Sequence, residues 1–315
     1  WQSERDFVGE LTRAVHARGM RMGLYYSGGI DWTFHGLPID SLESILDSIP
    51  QNREYARYAD AHWRELIERY EPAVLWNDIG YPEKAAPAEL FADYYNRMPD
   101  GVVNDRFQLG AGEGGQHCDF VTPEYVVFDD ILERKWESNR GIGGSFGFNR
   151  AEPESDLLTA GEIIHMIADV TSKNGNLLLN VGPTANGLVP WAQSSRLLAV
   201  GDWLRRNGEA IYGTRPWRRA DGRTADGTGV RFTQSHGYLY AIVLAPPAGN
   251  EGHRPEEQAP KVVLDDLRPA SSAEIRLLGY GLPLRWQQRG TQVAVELPSD
   301  MLTGPAYVLR FSQVQ

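Results

Sequence analysis

The sequence of 315 residues contains one cysteine, Cys118, so no disulfide can form within the chain and the redox compartment is left open. No apolar run reaches the length of a membrane-spanning helix. Positive charge is in short supply: 31 Lys and Arg stand against 42 Asp and Glu, a net charge of −11. That balance argues against nucleic acid or an anionic membrane as partner. Metal-binding patterns are missing too, with no His-Glu-x-x-His, no paired cysteines and no clustered histidines. No Gly-x-Ser-x-Gly elbow points to a serine hydrolase, and the glycine-rich stretch 108–116 lacks a phosphate-loop pattern, so no cofactor is expected. The chain opens at Trp1 with no targeting segment in view, which leaves the compartment unread.

What the chain has is a folded composition, 42% hydrophobic and 10% aromatic, with nine Trp and fourteen Tyr that suit either large cores or sugar-stacking surfaces. The stretch AVLWNDIGYP at 73–82 organises the rest. A short apolar run bounded by turn residues reads as a covered strand of an α/β fold. Side chains alternate along a strand, so Val74, Trp76 and Asp78 share one face. An aromatic wall then lies one step below a carboxylate at the strand's C-terminal end, where α/β barrels place catalytic groups. An aspartate before Gly and Pro also fits the simpler role of turn cap.

In chain order, a helix is expected over 3–18 with Phe7, Leu11 and Val15 on its apolar face, ended by Gly19. A strand at 20–27 follows, with Tyr25 as its inward hydroxyl. Next come a loop, a helix over 52–70, the Asp78 strand, a helix at 87–98 and a strand at 101–106. Short extended pieces at 118–125 and 134–138 precede a helix capped by Thr159, a buried strand at 175–183 and a helix at 190–207. Strand and helix thus alternate at βα spacing, which argues a parallel sheet with helices outside. From Gly213 onward the pattern changes to short strands at 230–233, 238–244, 261–264, 274–278, 292–297 and 306–311, with a polar loop at 246–260. That reads as an all-β sandwich. The expected organisation is a partial (β/α) barrel over 1–217 and a C-terminal β-sandwich over 218–315.

Asp78, Asp105, Glu124 and Glu137 are the acids expected at strand ends, with Arg106 among them. Two carboxylates flanking a bond suit glycoside hydrolysis, and a neighbouring arginine can keep one of them ionised.

The motifs LYYSGGIDW at 24–32, LWNDIG at 75–80, VNDR at 103–106, DFVTPEY at 119–125, KWESNRGIGGSFGFN at 135–149 and NGNLLLNVGP at 174–183 occur in this order. Together they resemble the α-L-fucosidases of glycoside hydrolase family 29, bacterial members above all, across residues 1 to about 217. The resemblance implies a barrel followed by a β-sandwich, and a retaining exo-hydrolase that removes terminal α-L-fucose from oligosaccharides or glycoconjugates. Asp78 matches the family's nucleophile and Glu124 its general acid/base. Tyr25, Trp76, Arg106 and Phe146 match residues lining the fucose pocket. Glu137 is the rival acid, for which the plainer account is a buried partner of Arg140 or Arg134.

The family's first barrel strands, with their His-His-Asp-Gly segment, would precede Trp1, and a full barrel takes roughly 250 residues. The expectation is therefore an incomplete barrel whose open edges favour a homo-oligomer that completes or covers them. A chain that kept the acids but lost half the pocket would instead be a non-catalytic carbohydrate-binding remnant. Turnover of an aryl α-L-fucoside separates the two.

Overall fold

The structure, a computed structural model, describes residues 3–35, 38–107, 117–244, 261–298 and 304–314. The glycine-rich stretch 108–116 and the polar loop 246–260 lie outside the described residues. The chain forms two compact units, Trp1–Thr122 and Pro123–Gln315.

The first unit begins with α1 (Phe7–His16), where the Asp6 carboxylate accepts the Gly9 N–H at 2.9 Å, and Gly19 at φ +69 turns the chain out of the helix. Its expected apolar face is not the buried one. Phe7 and Leu11 are each 56% exposed, while Gly9 and Thr12 are buried. The cause lies in the cap: Asp6 also accepts the Tyr70 hydroxyl at 2.7 Å, which turns the small-residue side of α1 toward the helix carrying Tyr70.

β1 (Gly23–Tyr26), α2 (Leu42–Asp47), α3 (Arg53–Tyr70), β2 (Val74–Asn77), α4 (Pro87–Arg97), β3 (Val102–Val103), a 3₁₀ turn at Asp105–Phe107 and β4 (Phe120–Val121) follow. β1, β2 and β3 form a parallel sheet in that order. α3 starts on an Asn52 cap and ends at Glu71, left-handed at φ 46, before Pro72. It buries Tyr55, Ala59, Trp63 and Ile67 against Leu75 and Val103 of the sheet and Leu90, Phe91 and Tyr94 of α4. Each fully buried large side chain contributes about 2 kcal/mol, against about 1 kcal/mol for the cap, so packing rather than capping fixes this helix. The strand expected over 101–106 is shorter than its motif, because Asp105, Arg106 and Phe107 curl into the 3₁₀ turn.

The second unit opens with β5 (Lys135–Gly141), longer than the 134–138 expected, then α5 (Ala160–Ser172), β6 (Gly175–Asn180) and α6 (Trp191–Asn207). β5 and β6 pair in parallel. The sequence predicts a buried strand and turn at 175–183, whereas β6 lies at the edge of its sheet and Leu178 is 40% exposed.

After α6 come β7 (Arg215–Arg223), β8 (Gly229–Ser235), β9 (Tyr238–Leu244), β10 (Lys261–Leu264), β11 (Ile275–Leu277), β12 (Trp286–Arg289), β13 (Gln292–Glu296) and β14 (Ala306–Ser312). They make a five-stranded antiparallel sheet, β11-β14-β9-β8-β7, and a three-stranded one, β10-β13-β12. Leu239, Ala241 and Val243 on one face of β9 share a core with Val262, Leu264, Val293 and Val295 of the smaller sheet. Tyr240 and Ile242 on the other face pack with Ile163 and Ile164 of α5 and Val200 and Trp203 of α6. A strand covered on both sides needs apolar residues at every step, which explains the unbroken run YLYAIVL. Among the described residues the parallel strands do not close into a barrel.

Candidate active site

In the first unit, the β1–β2 register sets Tyr25 opposite Trp76, and their rings stack at 5.6 Å with an interplanar angle of 25°. Asp78 is the first residue beyond β2, where its N–H still bonds the Tyr26 carbonyl at 3.0 Å. Its carboxylate is held from three sides. The Tyr25 hydroxyl donates to Oδ2 at 2.8 Å, while Arg106 Nη1 and the Ile79 N–H each donate to Oδ1 at 2.9 Å. Both members of the ion pair are largely buried, with side-chain exposures of 15% for Arg106 and 19% for Asp78. Oδ1 is therefore the anchored oxygen and Oδ2 the one with coordination to spare.

Arg106 is itself fixed. Its Nε donates to Thr122 Oγ1 at 2.8 Å and its Nη2 to the Thr122 carbonyl at 2.7 Å, and its guanidinium lies 4.7 Å from the Trp76 ring centroid. Thr122 in turn donates its hydroxyl to Asp105 Oδ1 at 2.7 Å. A planar guanidinium held at both edges and over an aromatic face keeps one orientation, which a lysine could not reproduce.

The Tyr25 ring is open to solvent, 59% exposed, but its hydroxyl end is desolvated against Trp76 and Asp78. That desolvation first, and then the hydrogen bond to Asp78, pushes its pKa up to about 12. The hydroxyl thus stays a donor at neutral pH.

The turn below the carboxylate is tightly built. Ile79 has φ 59, a left-handed conformation that is costly for a β-branched residue. A Cβ on Gly29 would stand 1.8 Å from the Ile79 carbonyl oxygen, so only glycine lets the β1 loop pass this close.

In the second unit, Glu124 is exposed and its backbone bridges Asn139 of β5. The next residue, Tyr125, is left-handed at φ 53, and its ring lies 5.4 Å from Phe146 and 5.0 Å from the Arg140 guanidinium carbon. The Gly141 N–H donates to the Tyr125 hydroxyl at 3.2 Å, which binds this turn to the end of β5. Glu137, half-buried and opposite Asn176, lies two residues before Asn139 on the same face of β5.

The structure therefore gathers Tyr25, Trp76, Asp78 and Arg106 into one constellation in the first unit. Glu124 and Phe146 flank Tyr125 in the second. Thr122, Asn77 and Tyr125 are not among the site residues that the sequence points to. Asp105, read there as a candidate acid, accepts from Thr122 and serves the arginine instead. Only Asn77 carried a signal, as a polar residue inside an otherwise apolar strand. Among the described residues no group of His, Cys, Asp and Glu is arranged to hold a metal ion, and no helix is long and apolar enough to cross a membrane.

A family model described as alpha-L-fucosidase matches residues 1–209. Human plasma alpha-L-fucosidase is 34% identical over 310 residues, which cover 94% of this chain and 62% of the human protein. An alpha-L-fucosidase of Branchiostoma floridae is 32% identical over 305 residues, 94% of this chain and 64% of its own length. Among solved structures, Thermotoga maritima alpha-fucosidase in complex with a mechanism-based inhibitor is 40% identical with a TM-score of 0.85, covering 98% of this chain and 69% of that one. Alpha-L-fucosidase isoenzyme 1 from Paenibacillus thiaminolyticus is 25% identical with a TM-score of 0.76, covering 99% and 76%. The chain spans about 62–64% of the length of these two curated relatives.

Proposed function

The chain belongs to the α-L-fucosidase family, and from that premise we propose that it hydrolyses terminal α-L-fucosyl residues of oligosaccharides or glycoconjugates with retention of configuration. The observation that carries this reading is a largely buried carboxylate at the end of a parallel strand. Asp78 has one oxygen anchored by Arg106 and the other directed by Tyr25, beside an aromatic wall.

In the proposed reaction Asp78 Oδ2 attacks the anomeric carbon. The bond from that carbon to the leaving oxygen breaks, and Glu124 gives that oxygen its proton. Glu124, now a carboxylate, takes a proton from water, and the hydroxide attacks the same carbon and releases Asp78. Arg106 and the Ile79 N–H hold the nucleophile in place, and the anchoring of Oδ1 leaves Oδ2 as the attacking atom. Trp76 and Tyr25 offer apolar faces for the pyranose ring and its methyl group, and Phe146 is assigned to the pocket by the family resemblance alone. Glu137, half-buried along β5, is the lesser candidate acid and is read as a pocket wall.

Residues 1–217 as a (β/α)-barrel segment and 218–315 as a β-sandwich belong to the same reading. It is supported by the parallel pairings of β1–β3 and β5–β6 and by two antiparallel sheets that share one core. Self-association is included as well, supported by Phe7 and Leu11, which lie exposed together on α1.

The test is kinetic. Asp78→Gly should lower kcat on an aryl α-L-fucoside on the order of 10³-fold or more, with azide restoring turnover as a fucosyl azide. Glu124→Ala should impair poor leaving groups far more than activated aryl ones. A folded Asp78→Gly protein with near-normal kcat would sink the assignment, as would sugar binding by the unmodified chain without turnover. The same leaving-group dependence in Glu137→Ala, and not in Glu124→Ala, would exchange the two acids.

A further inference from the structure

The ladder between β2 and β3 stops early. Its last paired residues are Leu75 and Val103, followed by one bond from the Asn104 N–H to the Leu75 carbonyl at 3.3 Å. Asp78 and Arg106 lie beyond it, on backbones that have begun to diverge into a tight turn and a 3₁₀ turn. Side-chain amides take over where the ladder ends. Asn104, 1% exposed, accepts the Asn77 N–H at 3.1 Å and donates to the Asn77 carbonyl at 2.9 Å. Asn77, fully buried, reaches further: its Nδ2 donates to the Gly80 carbonyl at 2.8 Å and to the Arg106 carbonyl at 3.0 Å.

One amide group thus joins the residue that closes the Asp78 turn to the residue that carries the guanidinium. The amide's own orientation is set from behind. The indole N–H of Trp63, a fully buried residue, donates to Asn77 Oδ1 at 3.2 Å. A Cβ on Gly28 would lie 2.4 Å from that same oxygen, so the glycine leaves the amide its space. With Oδ1 engaged by the indole, both Nδ2 hydrogens point at the two carbonyls, and neither can rotate away without stranding a buried polar group.

We propose that Asn77 is the positioning residue of this site, a buried amide clamp that fixes the Asp78 carboxylate and the Arg106 guanidinium relative to each other. The clamp touches no substrate. It acts through the geometry of the pair, and its consequence for turnover rests on Asp78 being the nucleophile. A displacement of about 1 Å at a reacting group lowers rate on the order of 10²-fold, the scale on which losing the clamp should register.

The test compares Asn77→Asp with Tyr94→Phe in the full chain. The aspartate keeps the shape of the side chain but faces two carbonyls with an acceptor. Tyr94→Phe removes another buried hydrogen bond, to the Pro72 carbonyl at 3.0 Å before the opposite end of β2, and serves as the control for stability alone. With the folded fraction measured, Asn77→Asp should lower kcat for an aryl α-L-fucoside about 100-fold with KM changed less than about threefold. It should slow covalent labelling of Asp78 by 2-fluoro-fucosyl fluoride in parallel, while Tyr94→Phe leaves both at the wild-type value. A second readout needs no activity: amide hydrogen exchange over residues 78–81 should speed up in Asn77→Asp and not in Tyr94→Phe. If the unmodified chain has no fucosidase activity the proposed reaction fails, and the exchange comparison alone decides the clamp. Should Asn77→Asp not fold, Asn77→Ser is read in the same way. Wild-type kcat in a folded Asn77 variant of an active enzyme, or unchanged exchange over 78–81, overturns the proposal.

Discussion

Tyr25 shows what a single hydroxyl can do at this site. Its bond to Asp78 Oδ2 ends on a charged acceptor, and hydrogen bonds of that kind are worth about 1.5–3 kcal/mol. Tyr25→Phe keeps the stacking on Trp76 and removes only the donor. It should therefore lower the melting temperature by about the few degrees such a bond is worth and, in the folded fraction, lower kcat about 10- to 100-fold, as a thermal melt and steady-state kinetics would reveal. With its pKa pushed up to about 12, the Tyr25 hydroxyl also remains protonated through pH 10, where an ordinary tyrosine is half ionised. Of the residues around it, Trp76 and Asp78 were legible because strand alternation places them on one face, and Arg106 as the cation among the acids at strand ends, its place in the pocket being what the resemblance implies. Thr122 was not, since it comes to Arg106 only after the chain has passed the glycine-rich stretch, and no local pattern marks a threonine whose role is to receive a guanidinium.

At the scale of elements, legibility followed burial. The strands with apolar alternation or continuous apolar runs, β8, β9, β10, β11, β13 and β14, were readable from the sequence. β7, whose residues are RPWRRADGR, and β12, WQQR, were not, because neither carries an apolar run or alternation, whereas the edge strands β10 and β11 do. The apolar face of α1 departs from its sequence pattern for a related reason. Phe7 and Leu11 look like core residues, yet the contact was decided by the Asp6 cap and the small side chains of Gly9 and Thr12. α5 shows the opposite case, a local signal that fixes an element. Thr159 Oγ1 accepts the Glu162 N–H at 3.2 Å, and Glu162 accepts the Thr159 N–H at 2.7 Å, a complete capping box. The Thr159 backbone bond, and then its hydroxyl, lower the Glu162 pKa. The stabilisation is thus present above the ordinary glutamate range and is lost as pH falls through the lowered value. Thr159→Ala should cost about 1 kcal/mol, seen in a thermal melt as a loss of about 2–4 °C at neutral pH. That loss should shrink in acid.

Across the molecule, tyrosine ionisation offers a test that does not depend on activity. Burial raises the pKa of Tyr26, Tyr55 and Tyr81, and that of Tyr94 to about 12, whereas unfolded tyrosines titrate near 10. Above pH 10 the unfolded chain therefore holds fewer protons than the folded one, and stability must fall as pH rises. Below pH 10 these four groups contribute no pH dependence. Absorbance at 295 nm should show these four titrating only together with loss of near-ultraviolet dichroism. Their ionisation near pH 10 in a still-folded protein would contradict the packing of α3 and α4 described here.

The left-handed Ile79 has a further consequence for anyone who sets out to make this protein more robust by selection. An L-residue in that conformation carries a penalty of about 1–2 kcal/mol that glycine avoids, so a screen for heat resistance should enrich Ile79→Gly. The same change loosens the turn whose amide holds Asp78 Oδ1, so a screen for turnover should discard it. Run side by side on one library, the two screens should disagree most sharply at position 79. Agreement there would mean that the strain in this turn is incidental to catalysis.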